Sequence, residues 1–554
     1  MNRRKRVFVI TLVSGVALLL MGFTSVAVRD GRLGRNIEIL VSMLRDLSLY
    51  YVDEVDSDKL LRDAAKGMVS SLDPYTELIT HDRMSELDLM TTGKYGGIGA
   101  LIRADSDYVR IAEPYRDCPA DRAGLKIGDA IVAIDGEDML GRSTQEVSSK
   151  LKGDPGTTLH LTVRRVADGT MEKINIRRER ISIPAVKYYG MVADSIGYIL
   201  HCDFTDGSSA MVRKAVEQLM SEGAKSLILD YRENGGGVVQ EAIKIVSLFV
   251  PAQTEIVTMR GRGGEVKTVL KTEDEPIALT VPLAVLVDGN TASSSEILAG
   301  AIQDLDRGVI IGERTFGKGL VQTTMPLEYD NYLKFTTSKY YTPSGRCIQS
   351  FDYHNQERDR SKATDSLVSE FKTAGGRKVY DGGGIAPDVA ITPKEISNYA
   401  AMVYAAGLVD DFADEYFRTH EISADSVEKF AITTADFDRF VAMVGDRTFD
   451  YDRQTHDIVL ALAEAVEAEG YGEKLTNDIK NIASRLVDDR NNATMLRNNQ
   501  ELITDLIEEA IVLRAAYNDG VVRYRIADDK CVEKAVELLT DSEAYNKILS
   551  PDAQ

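Results

Sequence analysis

Two polar segments in the middle of the chain carry residue types that nucleophilic catalysis needs. Ser293 stands three residues before Glu296, at the start of an apolar helical stretch. This spacing is typical of a capping box, in which the serine only caps the helix. Lys318 lies between Gly317 and Gly319 in an otherwise apolar segment. Small neighbours allow a lysine to be buried close to another backbone, and burial favours the neutral amine that can act as a base. At this level Ser293 is open to both interpretations, helix cap and nucleophile.

The elements that must position these residues alternate between strands and helices over 195–342. The apolar patterns predict strands over 195–200, 225–230 and 283–288, and helices over 209–223 and from 291 to about 304. The glycine-rich loop 231–237 directly follows the second strand. The pattern predicts an α/β core with a largely buried sheet. Such sheets usually place their active sites in loops that directly follow strands.

A second glycine-rich segment precedes a stretch of short, β-rich runs between 95 and 180. Gly97, Ile98 and Gly99 enter a strand, and A-G-L-K-I-G-D and I-V-A-I-D-G follow at 123–129 and 131–136. These segments resemble a PDZ domain, in which backbone N–H groups of the glycine loop bind the terminal carboxylate of a peptide. The resemblance implies that Gly97, Ile98 and Gly99 form this loop. A hairpin turn is the alternative.

Motifs spread over about 40–390 resemble the C-terminal processing peptidases, which are tail-specific serine proteases with a Ser-Lys dyad. The resemblance implies a serine endopeptidase that recognises protein C-termini and cleaves through an acyl-enzyme, with Ser293 as nucleophile, Lys318 as general base and Gln322 orienting the lysine. The motifs are A-K-G-M-V-S-S-L-D-P-Y at 65–75, D-Y-R-E-N-G-G-G at 230–237, T-A-S-S-S-E-I-L-A-G-A-I-Q-D at 291–304, G-E-R-T-F-G-K-G-L-V-Q at 312–322, Y-Y-T-P-S-G-R at 340–346 and G-G-I-A-P-D at 383–388.

Elementary chemistry agrees with this resemblance. No histidine occurs between His201 and His354 to activate a serine locally. If 318–322 is a strand, alternate residues share a face, so Gln322 can reach the amine of Lys318. The oxyanion needs aligned backbone donors, and we expect them from Ser294 at the helix start and from the loop, with Gly236 favoured. The family has N-P-G-G where this chain has N-G-G-G, so the glycine that donates is open.

The N-terminus has the form of an export signal. Four basic residues at 3–6 precede an apolar run over 7–23, which places the following chain across the inner membrane. Cleavage near Ala27 and retention as a membrane anchor are both open. We therefore expect a protein of the periplasm or cell envelope.

The composition limits the classes of binding partner and cofactor that we expect. The net charge of −21 argues against nucleic acid as the main partner, and protein or peptide substrates with apolar C-termini are expected. Four dispersed cysteines and six dispersed histidines form no ligand pair, which predicts no metal, and no cofactor is expected. The alternative function, which is not enzymatic, is a non-catalytic PDZ scaffold of the cell envelope.

The expected fold is multidomain α/β, with a PDZ domain inserted before the protease core and helical segments at both ends. An apolar stripe at helical spacing over 502–511 predicts a packing face within a C-terminal bundle, and the alternative is an oligomer or partner interface. The polar segment 351–377 is expected to be a loop. The predicted regions are a signal or anchor (1–28), an N-terminal helical region (35–86), the PDZ domain (87–180), the protease core (181–395) and an acidic helical extension (396–554).

Overall fold

The computed structural model describes residues 31–105, 107–350, 368–392, 394, 396–445, 454–488 and 492–551. The predicted signal at 1–28 and most of the predicted loop, 351–367, lie outside these residues. The described chain forms two compact units. One contains 31–81 and 322–336, and the other contains 82–321, 337–350 and the described residues from 368 onward. Within the described residues, no helix combines the length and the hydropathy that crossing a bilayer requires.

The first unit contains two helices and a short strand. The predicted helical region 35–86 is divided, because the carboxylate of Asp56 caps a second helix by accepting the backbone N–H groups of Asp58 and Lys59. The elements are α1 (Gly31–Tyr50), α2 (Ser57–Val69) and β1 (Glu77–Ile79). The segment 322–336, which lies within the predicted range of the protease core, is part of this unit and includes residues 322–326 of the strand Leu320–Pro326 and residues 332–336 of the strand Tyr332–Tyr341.

The PDZ domain opens the second unit after a short helix. Its sheet has the order β3-β4-β5-β7-β8, so that β3 lies at one edge. Val147 and Leu151 of the helix α5 pack with Ile98 in the core of this domain. The elements are α3 (Met84–Thr92), β2 (Lys94–Gly97), β3 (Ala100–Arg103), β4 (Arg110–Pro114), α4 (Pro119–Arg122), β5 (Ala130–Ile134), β6 (Glu137–Asp138), α5 (Thr144–Leu151), β7 (Thr158–Arg164), β8 (Met171–Arg177) and β9 (Glu179–Ser182).

The protease core is built on a six-stranded sheet of order β10-β11-β12-β15-β16-β21, which is parallel except for β10. Its elements are β10 (Val186–Ala193), β11 (Ile196–His201), α6 (Ser208–Ser221), β12 (Ser226–Asp230), α7 (Val239–Ser247), β13 (Glu255–Arg260), β14 (Val266–Lys271), β15 (Leu283–Val287), α8 (Ser294–Asp304), β16 (Val309–Gly312), β17 (Leu320–Pro326), β18 (Tyr332–Tyr341), β19 (Glu370–Lys372), β20 (Lys378–Tyr380) and β21 (Val389–Ala390).

The end of the predicted loop 351–377 contains a strand of a two-stranded sheet. Strand β19, which lies within this segment, pairs antiparallel with β20 directly after it. Arg377 between the two strands is 2% exposed and forms ion pairs with Asp306 and Asp388 at 2.6 Å each. The expectation of a loop is therefore wrong for the strand Glu370–Lys372, and the turn that follows it is held to the core by the buried Arg377.

The C-terminal region is helical, as predicted, and its first helices form a bundle of their own. Ile503, Ile507 and Ile511 of the predicted stripe lie in the core of this bundle, which confirms the packing interpretation. The elements are α9 (Asn398–Ala405), α10 (Leu408–Thr419), α11 (Thr434–Val444), α12 (Gln454–Ala468), α13 (Glu473–Asp488), α14 (Asn492–Asn498), α15 (Gln500–Ile526), α16 (Lys530–Thr540) and α17 (Ser542–Ile548).

The last helices also complete the protease core. Alternate residues of a strand face opposite sides of a sheet, and each of the two sides of this sheet is covered by helices. Leu227 and Leu229 of β12 pack in the cluster that contains residues of α6, α7 and α8, whereas Ile228 packs in a second cluster with Val532 and Leu538 of α16. The C-terminal region thus supplies one of the two layers that a parallel sheet needs to bury both faces.

Candidate active site

Ser293 lies at the junction between a buried strand and a buried helix. Strand β15 ends at Val287, and α8 begins at Ser294. Ser293 has φ 57° and ψ −115°, a backbone conformation that costs a side-chain-bearing residue free energy on the order of 1–3 kcal/mol. It is also the only partly exposed residue between 291 and 304, since its neighbours there are buried. The fold therefore holds this serine, and no neighbouring one, in a strained and accessible position.

A fully buried carboxylate connects Ser293 to the lysine segment. Oε2 of Glu296 accepts the backbone N–H groups of Ser293 and Lys318, each at 2.9 Å. Its Oε1 accepts the backbone N–H of Gly317 at 2.8 Å and the hydroxyl of Thr315 at 2.5 Å. Burial raises the pKa of Glu296, and these four hydrogen bonds counteract the shift. Glu296 was predicted only as a capping residue, but it also fixes the backbone of Lys318 beside that of Ser293.

Lys318 precedes strand β17 and does not lie within it. The strand begins at Leu320, so the expectation that residue 318 belongs to a strand is wrong. The reason is that side chains bind the backbone of this segment: Glu296 takes the N–H of Lys318, and Oε1 of Gln349 takes the N–H of Gly319 at 2.8 Å. The lysine side chain is half-buried. The structure thus brings the backbones of Ser293 and Lys318 to one carboxylate oxygen.

Gln322 belongs to the compact unit that contains the N-terminal helices. Its side-chain amide donates to the hydroxyl of Thr336 at 3.2 Å. The predicted contact between Gln322 and the amine of Lys318 stays a prediction.

The glycine loop, residues 231–237, lies directly against Ser293. A Cβ atom added to Gly236 would stand 2.8 Å from Cβ of Ser293 and 2.7 Å from the carbonyl oxygen of Ala292. The loop is fixed by the buried side chain of Asn234, whose Nδ2 donates to the carbonyl of His201 at 2.7 Å. Only a glycine at position 236, where φ is 96°, allows the loop to approach Ser293 this closely.

The donors for an oxyanion differ in part from the prediction. The N–H of Gly236 donates to Oδ1 of Asn234 at 2.9 Å, so in this arrangement it is not directed at a substrate. The N–H of Ser294 opens α8 and has no acceptor among the described residues, because the first turn of a helix leaves its N–H groups unpaired. Its hydroxyl donates to the carbonyl of Gly237 at 2.8 Å and ties the loop to the helix. The role of the Ser294 N–H as an oxyanion donor stays a prediction.

The predicted peptide-binding loop of the PDZ domain lies between β2 and the edge strand β3. Gly97 ends β2, Gly99 has φ 74°, and Ile98 is buried, with its carbonyl accepting the N–H of Ala120 at 2.8 Å. A Cβ on Gly99 would stand 2.4 Å from Cβ of Cys118. The glycine is therefore required both by the backbone angle and by the close approach of the next segment.

Two buried arginines fix the far end of the nucleophile helix, a role that sequence reasoning missed. Arg346 is 1% exposed and binds Asp304 at the last turn of α8 at 2.7 Å. Nη2 of Arg377 donates to the carbonyl of Gln303 at 3.1 Å. Both arginines stand in or near quoted family motifs, but no local pattern shows that they converge on one helix.

Family models match three parts of the chain. Residues 195–353 match "Peptidase family S41", residues 110–165 match "PDZ domain", and residues 400–539 match "Probable PDZ-protease, C-terminal helical domain". The matches confirm the prediction that a peptidase core, a PDZ domain and a helical C-terminal region are combined in one chain.

Curated relatives and solved structures are similar to the same regions. A carboxy-terminal-processing protease of Bartonella bacilliformis is 36% identical over 54% of this chain and 69% of that protein. A probable CtpA-like serine protease of Staphylococcus aureus is 32% identical over 56% of this chain, which spans 62% of that relative's length. The solved photosystem II D1 C-terminal processing protease is 27% identical, with a TM-score of 0.36, over 64% of this chain and 92% of that one.

Proposed function

The chain belongs to the family of carboxy-terminal-processing serine proteases, and we propose that Ser293 and Lys318 are its catalytic dyad. The observation that carries this proposal is the shared carboxylate of Glu296, which binds the backbone N–H groups of both residues. Pre-organisation of a nucleophile and a base removes much of the entropic cost of their reaction. A helix cap alone would not require a lysine segment on the same carboxylate.

The reaction proceeds through an acyl-enzyme. Oγ of Ser293 attacks the carbonyl carbon of the scissile bond, and its proton passes to Nζ of Lys318. The N–H of Ser294, with a second donor from the glycine loop, stabilises the oxyanion. Collapse of the intermediate breaks the C–N bond, and Lys318 returns the proton to the departing amine. Lys318 then takes a proton from the water that attacks the ester. The bond between Oγ and the acyl carbon breaks, Lys318 returns the proton to Oγ, and the product leaves with a new carboxyl terminus.

The PDZ domain selects the substrate in this proposal. A free C-terminal carboxylate binds the loop of Gly97, Ile98 and Gly99, and the residues before it pair with the edge strand β3. The chain thereby delivers protein C-termini to Ser293.

The extracytoplasmic location is part of the same proposal and rests on the basic and apolar start of the sequence. Fractionation of cells should recover the chain with the membrane or the periplasm, and recovery of the full-length chain from the cytosol would contradict it.

Peptide hydrolysis by single variants tests the dyad. With a peptide that ends in an apolar residue, Ser293→Ala and Lys318→Ala should each abolish turnover, since residues that act as a unit are not additive. Lys318→Arg should also be inactive, because a guanidinium stays protonated and cannot accept the serine proton. Lys214→Arg on the exposed face of α6 is the matched control and should keep full activity.

The same experiment distinguishes a protease from the alternative function, a non-catalytic PDZ scaffold. A scaffold would give no hydrolysis that depends on Ser293 but would still bind the peptide. Substantial activity in Lys318→Arg would show that another group is the base.

A further inference from the structure

The C-terminal helical region reaches the glycine loop through one aspartate. Asp529 precedes α16 and uses its two carboxylate oxygens separately. Oδ1 caps the helix by accepting the N–H groups of Cys531 and Val532 at 2.8 and 3.0 Å. Oδ2 accepts a hydrogen bond from Nη1 of Arg232 at 2.7 Å. Arg232 is the second residue of the glycine loop, so a helix cap and a loop anchor share one side chain.

Arg232 is held between this aspartate and the end of strand β12. Its Nη2 donates to Oδ2 of Asp230 at 2.6 Å, and its Nε lies 3.0 Å from Oδ1. Asp230 is 1% exposed and also accepts the hydroxyl of Tyr198 at 2.7 Å. Burial opposes the charge of Arg232, but the two carboxylates outweigh it and raise the pKa of the guanidinium. The side chain therefore stays a cation with two fixed partners.

The residues that follow Arg232 need such an anchor. Glu233 adopts φ 60°, which is unfavourable for a residue with a side chain. Asn234 then binds the N–H of Gly236, and Gly236 packs on Ser293. Backbone strain persists only where the surrounding contacts hold it. Arg232 is one such contact on the N-terminal side of the strained residue, and Asp288, which accepts the N–H of Glu233 at 3.0 Å, is another.

We propose that Asp529 is a positioning residue for catalysis: through Arg232 it holds the glycine loop against Ser293. The C-terminal helical region then has a role beyond covering the sheet, since it contributes one of the anchors of the active-site loop. The proposal rests on the assignment of Ser293 as nucleophile.

The same helical region also binds the PDZ domain. The backbone N–H of Asn518 in α15 donates to Oε1 of Glu113 in β4 at 3.0 Å. Asp410 of α10 lies 3.4 Å from Nε of Arg103, the last residue of the edge strand β3. Helices of the C-terminal region thus contact the PDZ domain and also the active-site loop.

Two substitutions of Asp529, with one of Asp541 as the control, separate positioning from helix capping. Asparagine caps a helix as well as aspartate does. When the oxygen of Asp529→Asn faces the helix, however, its NH₂ group faces Arg232, so two donors oppose each other. Asp529→Glu keeps the charge for Arg232 but is a poorer cap. Asp541→Asn is the matched control, because Asp541 caps α17 through the same two-bond arrangement, at 3.0 Å each.

The measurements are kcat and KM for an apolar-ended peptide, together with the melting temperature, using the full chain. We expect Asp529→Asn to lower kcat about tenfold at unchanged KM and nearly unchanged melting temperature, because a slightly misplaced loop loses rate and not affinity. Asp529→Glu should melt lower than Asp529→Asn yet retain more activity. Asp541→Asn should match the wild type in kcat.

Two results would overturn the proposal: wild-type kcat in Asp529→Asn, or activity that follows melting temperature across the variants, as a purely structural role predicts. Failure of the dyad assignment is recognised separately, because Ser293→Ala would then remain active whatever the Asp529 variants do.

Discussion

The two glycine loops of this protein are held in place by different means. In the PDZ domain, backbone groups fix the loop: the carbonyl of Ile98 accepts the N–H of Ala120 at 2.8 Å, and that of Gly99 accepts the N–H of Tyr115 at 2.9 Å. In the protease core, buried side chains add to backbone bonds such as that from the N–H of Ala292 to the carbonyl of Asn234 at 3.0 Å. The amide of Asn234 binds the N–H of Gly236, and the hydroxyl of Ser294 binds the carbonyl of Gly237.

The difference follows from what each loop has to bind. A PDZ loop receives a permanent carboxylate that must also leave, and a regular backbone frame is sufficient for reversible binding. In the proposed function the protease loop faces a charge that exists only in the transition state, so its position beside Ser293 and Ser294 must already be set. Buried side-chain amides and hydroxyls set such positions accurately, but they make the loop depend on many residues.

The protease loop should be the less tolerant of the two. We expect Gly236→Ala to lower kcat by at least about a hundredfold, because the new Cβ would meet the carbonyl of Ala292 at 2.7 Å and the N–H of Ser294 at 2.9 Å. Gly235→Ala is the control, since its Cβ would have no atom within 4 Å and its φ is not positive. Steady-state kinetics on both variants checks this, and equal activity of the two would show that the loop is not held against Ser293.

A substitution in the PDZ loop should change the affinity for the peptide and not the rate of catalysis. Gly99→Ala places a Cβ 2.4 Å from Cβ of Cys118 at a φ of 74°, so we expect KM for a peptide with a free carboxylate to rise about tenfold. The same peptide with an amidated C-terminus should bind weakly to the wild type and should be unaffected by the substitution.

Gly136→Ala controls for the backbone angle in this experiment, because φ there is 85° but the added Cβ meets no atom within 4 Å. If Gly99→Ala changes KM for the acid and the amide peptide equally, the loop does not recognise the carboxylate.

The sequence predicted local elements better than it predicted contacts between residues that are far apart in the chain. The strand, turn and helix around Ser293 follow from periodicity and from the S-x-x-E pattern, and α8 ends at Asp304 as expected. The second role of Glu296 depends on Thr315 and Gly317, which lie about twenty residues away in the chain and show no pattern of their own. Lys318 was misplaced in a strand because apolar neighbours predict strand, whereas side-chain acceptors hold its backbone.

The C-terminal region shows the same limit. The stripe over 502–511 predicted a bundle, and the bundle is there. That α16 covers the protease sheet could not be predicted, because an amphipathic helix gives its apolar face but not the surface on which that face packs. The contact between Asp529 and Arg232 joins residues almost three hundred positions apart.

The smallest expected effect is a pH dependence of the free energy of unfolding that involves the protease loop and not the PDZ loop. His201, whose carbonyl supports Asn234, is 1% exposed, and neither of its ring nitrogens has a partner among the described residues. Burial lowers its pKa from 6.5 to about 4, although the nearby carboxylate of Glu241 and the backbone at Asp203 act in the opposite direction. The unfolded chain therefore takes up a proton on this histidine as the pH falls below about 6.5, whereas the folded chain does not do so until about pH 4.

The free energy of unfolding should consequently decrease as the pH falls from about 6.5 to about 4, because folding keeps His201, whose carbonyl supports the protease loop, unprotonated. Between pH 7 and pH 5.5 we expect His201 to account for a loss of about 1 kcal/mol in the free energy of unfolding. Denaturant unfolding of His201→Leu at the two pH values should lack this part of the loss. His160→Leu, at an exposed histidine of the PDZ strand β7, should keep it. A wild-type pH dependence in His201→Leu would mean that the buried histidine is not the group that responds, and that the protease loop is no more sensitive to acid than the PDZ loop.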